Sequence, residues 1–98
     1  MPKMRCREIK FSGHALRRMF ERAISVDDVL TVIASGEIIT EYPEDTPLPS
    51  YLILGFVRSQ PIHVVAGIDR MSEMCYIITA YPPDLSQWNA DFKTRRSP

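Results

Sequence analysis

Four glycines in 98 residues leave little material for a glycine-rich phosphate loop, and no stretch of the chain reads as one. A strained serine elbow and a paired-carboxylate pattern are also missing, which removes the commonest signatures of nucleotide hydrolysis, ester hydrolysis and glycoside cleavage. The two cysteines, Cys6 and Cys75, show no CxxC or zinc-type spacing and read as reduced, packed thiols. The two histidines, His14 and His63, have no third ligand at a familiar spacing, so neither a metal site nor a cofactor is expected. No run approaches the ~18 apolar residues that would span a membrane. The opening MPKMRCREIK is basic but lacks the apolar centre of a secretory leader, so a cytoplasmic location is expected.

What is present is a single domain's worth of chain, with 45% hydrophobic and 24% charged residues, enough to bury a modest core. The net charge of zero hides a strong asymmetry. Lys3, Arg5, Arg7, Lys10, Arg17, Arg18 and Arg22 crowd residues 1–22 against only Glu8 and Glu21, and Lys93, Arg95 and Arg96 close the chain. The middle holds most of the acids and only Arg58 and Arg70. Basic ends around an acidic middle form one cationic surface if the ends meet in the fold, which would suit a phosphate-bearing partner.

The pattern along the chain predicts one domain over residues 1–98. Residues 1–10 form a basic arm with an optional short strand in REIKF, and residues 92–98 a basic tail. Ser12 is placed to cap a first helix on which Ala15, Leu16, Met19, Phe20 and Ala23 form one apolar arc. Ser25 caps a second, with Asp28 completing a capping box, Val29, Val32 and Ile33 as its stripe, and Gly36 in the position of a C′ glycine. EIITEY, YLILGFV, IHVVAGI and MCYIITAY then read as strands, separated by a proline-rich loop and two turns. The expected fold is α+β: two N-terminal helices on one face of a mostly antiparallel four-stranded sheet, with YLILGFV internal because its apolarity is unbroken.

His14, Arg18 and Arg22 recur every four residues and project from one side of the first helix, opposite the apolar arc. The bland reading is a solvated face with Arg17 and Glu21 as an ion pair. The functional reading puts His14 in the first turn beside Ser12, where free N–H groups attract anions and Arg18 lies one turn away. His63, within PIHVVAGI, is the kind of histidine that more commonly serves as a hydrogen-bonded core residue than as a catalyst. Thr79 and Tyr81, near a strand end, are potential substrate contacts. A four-residue turn over Arg70–Glu73 pairs His63 with Ala80, whereas three or five residues align it with Thr79 or Tyr81, and the sequence leaves these open.

The stretches FSGHALRRMFERAIS, DVLTVIASGEII, LILGF, PIHVVAGID and IITAYPPDLSQW together resemble the bacterial domain-of-unknown-function family 4258, from Phe11 to about Arg95. Ser12, His14, Ala15, Arg18, Met19, Arg22, Gly36, His63, Thr79, Tyr81 and Trp88 carry the match. Such domains are similar to the RelE and barnase-like ribonuclease group and occur beside zinc-finger antitoxins of the YgiT type. The resemblance therefore implies a RelE-like fold, a metal-independent RNA-cleaving toxin, and RNA and a cognate antitoxin as partners. In such a site His14, His63 and Tyr81 would be the catalytic groups. Ser12, Arg18, Arg22, Thr79 and Arg95 would bind substrate, with Arg95 brought by the tail to the first helix. The alternative is a non-catalytic protein- or nucleic-acid-interaction module. Catalysis by the two histidines requires them to converge in one cleft, which a binding module does not.

Overall fold

The computed structural model describes residues 4–97, so residues 1–3 of the basic arm and residue 98 of the tail lie outside the described residues. The alternating Glu8–Ile9–Lys10–Phe11 forms a four-residue strand, β1, with Ile9 and Phe11 against the core. Two helices follow, α1 (Gly13–Glu21) and α2 (Val26–Ser35). Strands β2 (Glu37–Tyr42), β3 (Ser50–Val57), β4 (Gln60–Asp69) and β5 (Met74–Tyr81) complete an α+β fold.

The sheet corrects the four-stranded, mostly antiparallel expectation. It has five strands in the order β1-β5-β4-β3-β2 and is mixed, because β1 runs parallel to β5 from Glu8↔Met74 to Phe11↔Ile77. The physical reason is an edge: without β1, the outer side of β5 would present a row of unpaired backbone groups. β3 lies inside the sheet, and Ser50 to Gly55 are buried on both faces, as unbroken apolarity demands. On one face Tyr51, Ile53, Ile62, Val64, Ala66, Cys75 and Ile77 merge with Ala15, Met19, Val29, Val32 and Ile33 of the helices in a single core. Leu52, Leu54 and His63, buried outside that cluster, belong to the other face.

Both helix starts form by local chemistry. Ser12 accepts a hydrogen bond from the Ala15 N–H at 3.0 Å, and Ser25 and Asp28 exchange the two bonds of a capping box, each 3.0 Å. The apolar arc of α1, however, splits. Ala15 and Met19 are buried, while Leu16 is 42% and Phe20 87% exposed. A nine-residue helix packed chiefly on β5 buries a single row, and the next row round faces outward. Ala23 ends α1 at φ 57° in a Schellman closure, with Ala23 N–H bonded to Phe20 O and Ile24 N–H to Met19 O. Gly36 is not the left-handed C′ glycine expected. Its φ is −79°, and it is needed because a Cβ there would sit 2.5 Å from Val32 O and 2.6 Å from Leu54 O.

The reading of Cys6 and Cys75 as free thiols is also corrected: they form a disulfide, with Cα atoms 5.5 Å apart. Parallel pairing of β1 with β5 brings the segment before β1 beside Cys75, a proximity that 69 residues of separation conceal. Disulfides persist mainly in oxidising surroundings, so free thiols no longer support a cytoplasmic location. Among the described residues, no helix is long and apolar enough to cross a membrane.

Candidate functional site at the C-terminal end of β5

The β4–β5 connection is the four-residue turn Arg70–Glu73, yet His63 pairs with Tyr81, not Ala80. A bulge resolves the parity. Asp69↔Met74 runs in register to Ala66↔Ile77, one residue is then skipped on β5, and pairing resumes at Val65↔Thr79. The bulge puts His63 and Tyr81 side by side, with Nδ1 3.2 Å from the tyrosine hydroxyl and ring centroids 5.3 Å apart.

His63 has no exposed surface. Its Nε2 lies 2.7 Å from the Phe92 carbonyl, which can only accept, so Nε2 carries the proton and Nδ1 accepts from Tyr81 O–H. Trp88 closes the pocket edge-on at 4.5 Å. Burial lowers the histidine's pKa, opposed by the Phe92 bond and aided by the nearby Arg95 charge. Burial likewise raises that of Tyr81, with a smaller push from Tyr42, while Arg95 and Arg22 act in the opposite sense. The result is a neutral imidazole bonded to a neutral phenol.

Two arginines flank this pair. β1 covers β5 only as far as Ile77, leaving the edge beyond it free, and Arg22 reaches that edge from the end of α1. It donates to the Ala80 carbonyl at 2.9 Å and to Thr79 Oγ1 at 3.1 Å. From the other side comes the chain's end. Residues 84–96 loop back through hydrogen bonds from Asn89 N–H to Thr94 O, Arg96 N–H to Gln87 O and Arg96 Nε–H to Leu85 O. Asp91 accepts from the Lys93 and Thr94 N–H groups, Phe92 turns at φ 58°, and Lys93 pairs with Glu37 at 2.7 Å. Arg95 then lies 5.1 Å from the centre of the Trp88 ring, over its face.

Of the residues singled out in the sequence, His63, Thr79, Tyr81, Arg22 and Arg95 come together here. His14, Ser12 and Arg18 do not join them through any contact among the described residues: His14 is exposed on α1, the Ser12 hydroxyl caps the helix, and Arg18 pairs with Glu21 at 3.5 Å. That ion pair replaces the Arg17–Glu21 pair expected. The tail does fold back, but its arginine meets Arg22 around Tyr81, at the C-terminal rather than the N-terminal end of α1. The basic arm is elsewhere. Arg7 N–H bonds Glu73 O at the start of β5, about 23 Å along the strand from Tyr81, so among the described residues Arg22 at the end of α1, and not the arm before β1, is what the N-terminal basic stretch brings towards the tail. Sequence reasoning missed the Phe92 carbonyl, for which a backbone acceptor on an irregular tail gives no signal. Among the described residues, no three His, Cys, Asp or Glu side chains are grouped as metal ligands would be.

The family model described as Domain of unknown function (DUF4258) matches residues 11–82, and the chain belongs to that family. The match spans α1, both histidines and the end of β5, and stops before the returning tail that buries His63. No curated protein and no solved structure matches the chain.

Proposed function

We propose that this DUF4258 member is a toxin-type, metal-independent endoribonuclease in which Tyr81, rather than a pair of histidines, exchanges protons with the RNA. The observation that carries this reading is the chain of hydrogen bonds from Phe92 O through His63 to the Tyr81 hydroxyl, flanked by Arg22 and Arg95. It has the layout of an activated side chain, its base and an orienting acceptor. As a 2′-hydroxyl attacks the adjacent phosphorus, its proton passes to the Tyr81 oxygen while the Tyr81 proton passes to His63 Nδ1. The reverse transfer protonates the departing 5′-oxygen. Arg22 keeps free N–H donors beyond those bound to β5, and with Arg95 it neutralises the charge gathering on the phosphate. His63 is a positioning and proton-holding residue, Thr79 orients the phosphate, and exposed His14 and Arg18 contact RNA further along. In this reading the substrate is RNA, and a small cognate antitoxin, of the zinc-finger type or another, covers the site.

The second reading, an interaction module, is favoured by one fact: His63 is sealed from solvent and serves equally to lock the tail to the sheet. A single experiment separates the two. The purified protein is incubated with a short RNA in excess chelator. Cleavage should proceed, leaving 2′,3′-cyclic phosphate ends, and Tyr81→Phe should slow it about 10²–10⁴-fold with the fold retained. RNA binding without cleavage would establish the interaction module, and neither binding nor cleavage would remove RNA from the account.

A further inference from the structure

The face of the sheet turned away from the helices is covered at two places, by the loop 43–49 and by the returning tail. Where the loop meets the sheet lies a cavity of about 480 Å³, lined by Asp45, Thr46, Pro47, Leu48, Gly67, Asp69, Tyr76 and Ile78. Its floor is apolar, and two of its side chains stay open: Tyr76 is 38% and Ile78 48% exposed. Side chains of that size are left uncovered on a sheet face only at some cost, about 25 cal/mol for each Å² that a ligand could cover. Two carboxylates also line the cavity, Asp45 from the loop and Asp69 from the end of β4. Asp45 accepts from Ser50 Oγ and Asp69 from the Met71 N–H, and a carboxylate has acceptor capacity beyond one such bond.

The groove's depth traces to Gly67. Its φ is not positive, so its backbone is open to any residue. A Cβ there would meet Leu48 Cβ at 3.7 Å, Pro49 O at 3.7 Å and Ile78 Cδ1 at 3.8 Å, all ordinary contacts. Glycine is therefore not required by the fold at this position, and what its missing side chain provides is the space between Leu48 and Ile78.

We propose that this groove binds a segment of a partner protein that inserts one large apolar side chain between Leu48, Tyr76 and Ile78 and pairs flanking lysines or arginines with Asp45 and Asp69. Charge complementarity selects this occupant. An apolar anchor alone would leave the carboxylates unused, an acidic segment or an RNA phosphate would be repelled by them, and Glu44 beside Asp45 adds to that repulsion. The groove involves none of the residues around Tyr81, so the inference stands whether or not the protein cleaves RNA.

The test uses the intact chain and three capped peptides: acetyl-Lys-Phe-Arg-Lys-amide, the same peptide with glycine for phenylalanine, and acetyl-Glu-Phe-Asp-Glu-amide. Amide resonances of Leu48, Gly67, Tyr76 and Ile78 should shift with the first peptide and not with the others. Asp45→Asn, which keeps an acceptor for Ser50, and Asp69→Asn should each weaken binding by up to about fivefold. Gly67→Leu should abolish it while the remaining resonances and the Tyr81 site stay unchanged. Gly67→Ala serves as a fold control that only narrows the groove. Equal binding by the acidic peptide, or binding indifferent to Gly67→Leu, would overturn the proposal. So would concentration-dependent self-association that Gly67→Leu removes, since the groove would then hold a second copy of this chain.

Discussion

The two ends of β5 are held by different means. At its start, Cys75 is bonded to Cys6, Arg7 N–H to Glu73 O, and β1 lies alongside for four residues. At its finish no strand covers the outer edge, and side chains do the work: Arg22 on the Ala80 carbonyl, His63 on Tyr81, and the tail on His63. Covalent and backbone bonds fix a position without leaving reactive groups. An end tied by arginine, tyrosine and histidine is held by the very groups that bind anions and move protons. Under the proposed function, the contrast puts structure at one end of the strand and chemistry at the other.

The sharpest way to break the contrast is to cut the covalent end. Closing a loop of 69 residues removes enough unfolded-state entropy that reduction, or a double Cys6→Ala and Cys75→Ala change, should cost about 4 kcal/mol in a urea titration. The Tyr81 end should keep its geometry in whatever fraction remains folded. A loss under 1 kcal/mol would mean that the N-terminal segment is held by packing alone.

Removing the polar clamp comes next. His63→Ala empties a fully buried site and leaves the Tyr81 hydroxyl and the Phe92 carbonyl unpaired, a loss of about 3 kcal/mol. The same residue sets a pH dependence. The native pKa lies below the ordinary 6.5. On acidification through 6.5 the unfolded chain therefore takes up a proton that the native state refuses, and stability falls until the native value is passed. Urea midpoints measured from pH 7.5 downward should decline over that window for the wild type. They should be flatter for His63→Asn, which has a side-chain amide but no group that titrates there. Parallel curves would assign the decline to other groups.

The smallest change sharpens the comparison instead of breaking it. Ala23 occupies a left-handed position immediately after Arg22, so Ala23→Gly should raise stability by about 0.5–1 kcal/mol. If Arg22 owes its aim to that corner, its bonds to Thr79 and Ala80, and the RNA affinity proposed for the site, should change little, because the glycine keeps the corner's shape.

What the sequence made legible was local. The caps at Ser12 and Ser25 are decided within a few residues and sit where the pattern put them, whereas the turn expected over RSQP tightens to Arg58–Ser59 and the next takes the four-residue form, one of the lengths the sequence left open. Arg58 and Ser59 both adopt positive φ, the two-residue turn that suits a tight hairpin, and Arg58 reaches Asp28 at 3.4 Å, a pairing no pattern could forecast. What escaped was non-local. REIKF reads as an optional strand, but the parallel pairing of β1 and the Cys6–Cys75 bond depend on a partner strand far along the chain. Leu16 and Phe20 were placed in the core because periodicity gives an arc but not the width of the neighbour that covers it. For the site, residue identities were legible and their grouping was not. One extra residue in β5 moved His63 from Ala80 to Tyr81, and a bulge of that kind depends on packing that a count of turn residues does not contain.

The parallel pairing of β1 with β5 also sets a clock. At synthesis rates of about 5–20 residues per second, β1 leaves the ribosome roughly 4–14 s before its partner strand is complete. During that interval the nascent chain can form α1, α2 and the β2–β4 meander, but the final edge must wait. Pairings so distant in sequence are also the slowest to close. The Tyr81 site waits longer still, because its last wall is made by residues 84–96. Whatever the Tyr81 site does, it can begin only after residues 84–96 have emerged and folded back onto the sheet.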